Sequence, residues 1–254
     1  MASPAIIFVL PTYNKFAYAR LAVFSFFKYS PPDSHCVVVD DASPFFPYQD
    51  WNAWLDGLPQ GRVTLQHFET NAGLTRGWNW GLDYARRLGA EYAIAGNSDI
   101  IFTPEWAPPL LYHLAGRYHL VGPVTNAPGP TNRGQQSVRH YYPGYKVTDD
   151  PAYLASVAEH LRRTRPIHEI VPCAINGFFT MARTESWWEG AFDAQHVFNP
   201  AKRMTGNEDE LQQRWQASGR RVGFVPSSFI FHYRAVSRGK RYRHTGWHRP
   251  VDPR

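Results

Sequence analysis

Asn71 to Pro104, NAGLTRGWNWGLDYARRLGAEYAIAGNSDIIFTP, is the stretch that decides the fold. A glycine-containing turn opens a helix on which Leu74, Trp78, Gly81 or Leu82, Ala85 and Leu88 recur at helical spacing. A short apolar strand, Tyr92 to Ala95, follows and ends in the polar triplet Asn97-Ser98-Asp99. Ligands of open α/β sheets collect at the carboxyl ends of strands, so Asp99 is placed to meet a ligand or a metal.

On the N-terminal side, Ala5 to Leu10 is a continuous apolar run, the pattern of a strand buried on both faces, and Pro11 to Asn14 stops it. Phe16 to Tyr29 predicts a helix with Leu21, Phe24 and Phe27 or Lys28 on successive turns, closed by Pro31-Pro32. Cys36 to Val39 is a second buried strand that runs into Asp40-Asp41-Ala42-Ser43-Pro44. A right-handed crossover between two parallel strands brings their ends to one rim, so Thr12 to Asn14 and Asp40-Asp41 are expected to be neighbours. A short helix around Trp51 to Leu55 and a third strand over Arg62 to Phe68 complete this half.

On the C-terminal side, Pro104 is expected in the first turn of a helix that continues through Leu114. Thr125 to Lys146 is polar, rich in Gly and Pro, and too long for an idle connection, which makes it a candidate binding loop or lid. Asp150 to Arg163 predicts a helix. Ala174 to Ala182 predicts a strand interrupted at Gly177 by a bulge or a close backbone approach to a ligand. Asn207 to Ser218 predicts an amphipathic helix whose first acids, Glu208, Asp209 and Glu210, favour its dipole. Val222 to Val225 and Phe229 to Phe231 are read as two final short strands, the second ending at His232.

With 254 residues, 43% of them hydrophobic, the chain has ample apolar material for a packed α/β core. No signal peptide or bilayer-length run is read near the N-terminus, and Cys36 and Cys173 read as small buried side chains outside any disulfide framework. That pattern predicts a reducing, cytoplasmic setting. A net charge of +6 favours an anionic partner: a nucleotide, an acidic polymer, a membrane face or nucleic acid. Arg238, Lys240, Arg241, Arg243, Arg249 and Arg254 face only Asp252 in the tail. Such a run is either a solvated terminus or a source of charge-assisted contacts to a diphosphate.

PTYN after the first strand, VVVDDAS after the second, NAGLTRGWNWGL opening a helix, NSD after the next strand, and GNEDELQQRW followed by FIFH occur in one order. Together they resemble family 2 glycosyltransferases of the GT-A fold, over roughly residues 5 to 237. The resemblance implies a single α/β domain, 1–237, with a mostly parallel central sheet flanked by helices. A nucleotide-binding half, 1–99, would precede an acceptor half, 100–237, and a basic tail, 238–254. It also implies an inverting transfer of a sugar from a nucleotide donor, with uridine favoured, to a hydroxyl acceptor.

Donor-binding candidates are Pro11, Thr12, Asn14, Asp40, Asp41, Asn71, Gly73, Arg76, Asn79, Asn97, Ser98 and Asp99. Asp40 or Asp41 would accept the ring N–H of a pyrimidine or, alternatively, cap a turn with Ser43. Thr12 and Asn14 would bind ribose or base, or serve the turn after Pro11. Arg76 would reach base or phosphate at a helix N-terminus, and Asn71 would cap that helix or touch ligand. Gly77 and Gly81 are read as packing glycines.

Asn97-Ser98-Asp99 stands in the place of the family's DxD element, which holds Mg²⁺ or Mn²⁺ against the diphosphate. Asn97 replaces the first carboxylate, leaving one anion fewer, and His232 is the expected second metal ligand beside Asp99. Glu208-Asp209 resembles the family's ED element, with Asp209 as general base and Glu208 orienting acceptor or backbone. Taken without the resemblance, both are also ordinary helix N-terminal acids. Trp187, Trp188, Phe178, Phe179 and Trp215 serve as core or as platforms for sugar rings. Arg238, Lys240 and Arg241 are candidate diphosphate contacts. Two alternatives stay open: a polyanionic acceptor such as hydroxymethylated DNA bases, and a homologue that binds sugar nucleotide without turnover.

Overall fold

The computed structural model describes residues 5–44, 51–129 and 134–234. Eight strands form one sheet: β1 (Ile6–Thr12), β2 (His35–Asp40), β3 (Val63–His67), β4 (Tyr92–Gly96), β5 (Ile100–Phe102), β6 (Leu120–Val124), β7 (Phe179–Arg183) and β8 (Val222–His232). Their order across the sheet is β3-β2-β1-β4-β7-β6-β8-β5. Strands β3, β2, β1 and β4 are parallel, as β6 and β8 are to each other, while β7 runs antiparallel between β4 and β6.

Helices α1 (Phe16–Tyr29), α2 (Trp51–Trp54), α3 (Leu74–Arg87), α4 (Ala107–Leu114), α5 (Pro151–Thr164), α6 (Thr184–Glu189) and α7 (Asn207–Ala217) accompany the sheet. Two apolar clusters divide the core. One holds α3, α5 and α7 side chains such as Trp78, Leu154 and Trp215, and the other holds those of α1 and α4, such as Phe26 and Leu110. No helix among the described residues is long and apolar enough to cross a membrane.

The crossover β1-α1-β2 forms as expected, and Asp41 N–H donates to the Thr12 carbonyl at 3.0 Å, so the two strand ends do share a rim. Helix α3 packs on β1 so closely that a Cβ on Gly81 would lie 2.1 Å from Val9 Cγ1, and one on Gly77 2.9 Å from Pro11. Both glycines are the packing glycines their spacing implied.

Several expectations are corrected. Pro11 does not end β1, which pairs through Thr12 with Asp40, whereas β4 pairs with β1 only as far as Val9. The imide nitrogen therefore falls where one flank of the strand is already open. Helix α1 buries Ala19, Ala22, Val23 and Phe26, while Leu21 is half-buried and Phe24 exposed. Apolar residues lie nearly all round this helix, so its sequence periodicity could not choose the inward side.

Ile100–Phe102, to which the sequence alone assigns no element, forms β5. It pairs antiparallel with the end of β8, and the helix starts only at Ala107, beyond Pro104. The strand expected from Ala174 begins at Phe179. The two late strands are one, β8, which runs through Pro226 and shifts register against β6 between Pro123 and Val124. Cys173 is half-buried rather than buried. In the expected lid, Gln136 is fully buried, donates to the Pro123 carbonyl and accepts from the Asn176 backbone and amide, so this part is anchored in the interior.

Candidate functional site

The ends of β1 and β2 form the first part of the rim. Asp40 is fully buried. Its carboxylate accepts from Ser43 Oγ at 2.5 Å, Ser43 N–H at 3.2 Å and His67 Nδ1 at 2.6 Å. Burial pushes its pKa up, against the pull of the Ser43 bonds. Asp41 points the other way and pins the opening of α3, accepting from Ala72 N–H (3.0 Å), Gly73 N–H (2.7 Å) and Arg76 Nη2 (2.7 Å). The turn-capping alternative describes Asp40, and both aspartates have their oxygens engaged inside the protein.

Two side-chain oxygens remain at this rim without a partner among the described residues: Thr12 Oγ1 and Asn14 Oδ1, both buried. Asn14 adopts φ 57°, a left-handed conformation that asparagine tolerates, and its N–H donates to Ser43 Oγ at 2.8 Å. Pro11, Thr12 and Asn14 thus lie beside Asp40 and Asp41 as expected.

Asn71 does not cap α3. Its amide donates to the Asp41 carbonyl at 3.0 Å, and the cap residue is Gly73 at φ 94°. A Cβ on Gly73 would lie 2.6 Å from the Arg203 carbonyl. The Arg76 guanidinium, bonded to Asp41 and the Thr70 carbonyl, stacks 3.8 Å above the Phe68 ring. Asn79 is held through both amide atoms by the backbone of Phe198, at 2.9 and 2.8 Å, so its amide is engaged in structure.

The second part of the rim gathers Asn97, Asp99 and His232. Asp99 Oδ1 lies 3.2 Å from His232 Nε2, and the Asn97 amide 3.4 Å from the same nitrogen. Ser98 between them is half-buried. The imidazole is positioned from behind. The Phe178 ring stacks on it at 5.1 Å and 16°, and Asn126 brackets its backbone, accepting from His232 N–H at 2.7 Å and donating to its carbonyl at 3.0 Å. Asn126 lies in the candidate loop Thr125 to Lys146 but is not singled out there by the sequence; only the folded chain brings it to His232.

One carboxylate, one imidazole and an amide make up this donor set, and no three His, Cys, Asp or Glu side chains converge on a common point among the described residues. Hard divalent ions that keep waters and phosphate oxygens in their shell need only one or two protein ligands. Asp99 and His232 fit such an ion.

The third part is the start of α7. Gly206, at φ 72°, turns the chain into the helix, and buried Asn207 donates to Thr75 Oγ1 at 2.8 Å, tying this end to α3. The Glu208 carboxyl lies against Gly177, where a Cβ would come within 2.6 Å of its Cδ. Gly177 therefore makes room for a side chain of the site, not for a ladder bulge. Burial, and then Asp209 beside it, push the Glu208 pKa above the ordinary glutamate range. Gly177 precedes Phe178, whose ring covers His232, so Glu208 and the Asp99 rim are linked through these two residues. Phe179, Trp187 and Trp215 are core, and Trp188 lies under the Arg86 guanidinium. Arg238, Lys240 and Arg241 lie outside the described residues.

Solved structures of the same fold include GalNAc-T7 with UDP, GalNAc and Mn²⁺ (TM-score 0.64, 18% identity, covering 96% of this chain and 45% of that one). A mannosyltransferase from Pyrobaculum calidifontis in complex with GDP-Man and Mn²⁺ aligns with TM-score 0.60, 15% identity and coverage of 91% and 57%. TarS 1–349 from S. aureus aligns with TM-score 0.54, 16% identity and coverage of 89% and 60%. The chain thus spans about half the length of these proteins, and the fold they share with it is GT-A. Among curated proteins none matches. The sequence model of glycosyl transferase family 2 matches residues 7–185, well over half of the chain, and the chain belongs to that family.

Proposed function

We propose that this glycosyltransferase moves a sugar from a UDP-linked donor to a hydroxyl acceptor with inversion at the anomeric carbon. The observation that carries the reading is the convergence of Asp99 and His232 at one rim, joined through Phe178 and Gly177 to Glu208, which Asp209 follows in the first turn of α7. The neighbours that hold UDP or GDP-Man with Mn²⁺ support it. With Asp40 and Asp41 engaged inside the protein, the uracil N–H is assigned to Asn14 Oδ1, a buried acceptor with no partner among the described residues, and the ribose to Thr12 Oγ1.

The Asp209 carboxylate takes the proton of the acceptor hydroxyl as its oxygen forms a bond to the anomeric carbon. The bond from that carbon to the diphosphate breaks, and the diphosphate leaves with the electron pair. Glu208, held against Gly177, orients the acceptor. When bound by Asp99 and His232, Mg²⁺ or Mn²⁺ supplies Lewis-acid stabilisation of the leaving diphosphate.

Asp209→Asn is expected to lower transfer by about 10²–10⁴-fold while UDP binding stays near wild type. Unchanged turnover would remove Asp209 as the base. Asn97, in place of a carboxylate, favours a second reading as a binding protein without turnover. Assay of UDP-sugars with and without Mn²⁺ separates the two, because binding with neither transfer nor hydrolysis supports the second.

A further inference from the structure

A groove of about 670 Å³ runs along the outer face of α3, opposite the segment 194–203. Its volume lies within the range of small-ligand sites, roughly 300–1,000 Å³. Arg76, Trp80 and Asp83 project into it from successive turns of α3. Trp80 has one ring face stacked on Tyr84 at 5.4 Å and 15°, which holds the indole fixed.

Arg203 stands on the opposite wall. Its guanidinium donates to the Ala72 carbonyl at 2.9 Å and the Asn71 carbonyl at 3.0 Å, and it meets no carboxylate among the described residues. On the α3 side of the groove Arg76 is paired with Asp41 and Arg87 with Asp83, while exposed Lys202 adds a second positive charge next to Arg203. His196 is oriented by Asp193, which accepts from Nδ1 at 2.9 Å and leaves Nε2 for another partner.

The wall that carries Arg203 leads directly to the acids of α7. The Arg203 carbonyl accepts from Thr75 N–H at 3.2 Å, and Asn207, just before Glu208, donates to Thr75 Oγ1 at 2.8 Å. Groove wall and α7 are therefore latched to the same first turn of α3.

We propose that this groove holds the non-reacting part of the acceptor, and that the part it takes is an anionic sugar, its ring against Trp80 and its acid group on Arg203. The inference rests on the glycosyltransferase reading above and names the acceptor class for it. A fixed indole suits the apolar face of a sugar ring, and a guanidinium without a counter-charge suits a carboxylate or phosphate. Asp83, Gln195 and His196 offer donors and acceptors to hydroxyls around that ring.

Ligand-observed saturation-transfer NMR on the full chain tests this with glucuronate and glucose 6-phosphate as probes. Glucose, inorganic phosphate and a short DNA duplex serve as controls. Both anionic sugars are expected to bind more tightly than any control. Arg203→Gln and Trp80→Ala are each expected to weaken them by about tenfold, the loss of one charge-assisted or stacking contact. Trp80→Ala touches nothing at the donor rim, so it decides the matter if Arg203→Gln disturbs the opening of α3. Equal binding of glucose or of the duplex, binding that survives Trp80→Ala, or no binding of either probe would overturn the proposal. A wild-type chain that binds glucuronate but not UDP would strike the donor reading instead and leave the ligand class of the groove standing.

Discussion

Buried Asp41 and half-buried Glu208 show two uses of a carboxylate held inside the fold. Asp41 receives two backbone N–H groups and a guanidinium, so its charge is compensated and its role is to hold the α3 opening in place. Asp41→Ala leaves those donors unmatched and is expected to cost about 1–3 kcal/mol in urea denaturation. Glu208 has only a backbone N–H to offset its charge, and burial outweighs it in favour of the protonated form. Because its folded pKa is raised, the unfolded chain releases the proton first as pH rises. Stability therefore falls between the ordinary glutamate pKa and the raised one, and stays lowered above it. Glu208→Gln is expected to raise Tm at neutral pH and to lose that advantage in acid below the ordinary pKa, measured as the difference in Tm between variant and wild type across pH. A constant difference at all pH values would mean that its charge is tolerated.

At the scale of elements, α3 acts as the spine between the donor rim and the groove. Its two glycines allow the helix to touch β1 directly, and the resulting contact carries Asp41, Arg76 and Trp80 at fixed positions on either side. Gly81→Ala gains up to about 1 kcal/mol of helix propensity. It also forces a methyl to 2.1 Å from Val9 Cγ1, so the net expectation is a loss of about 1–3 kcal/mol from overpacking, visible as a lower urea midpoint. Strand β8 does comparable work on the other side of the sheet. Its first half pairs with β6 and its end with β5, which delivers His232 opposite Ile100 and next to Asp99. The sequence shows two apolar runs broken at Pro226-Ser227-Ser228, and nothing local says that the ladder continues across them.

For the whole molecule, the candidate donor site is assembled from segments far apart in the chain, with Asn97 and His232 separated by 135 positions. If a divalent ion joins Asp99 and His232 to the diphosphate, calorimetric titration with UDP is expected to show weaker binding after chelation and recovery with Mn²⁺. Equal affinity in both states would remove the ion from the donor site. The chain order by itself determined the parallel β1-α1-β2 unit, the helix after Gly73, the position of Asp99 at a strand end and the membership of the family, because hydrophobic period, strand-end polarity and motif order are local properties. Tertiary structure alone decided where the carboxylates point. Asp40 and Asp41 looked free to read a base, yet His67, Ala72, Gly73 and Arg76, about 30 residues further on, engage their oxygens. Gly177 looked like a break in a strand and is the seat of Glu208, and the groove between Trp80 and Arg203 exists only because segment 194–203 folds back over α3. Hydrogen bonds and concavities form between segments that meet only in the folded chain, so no window of sequence contains them.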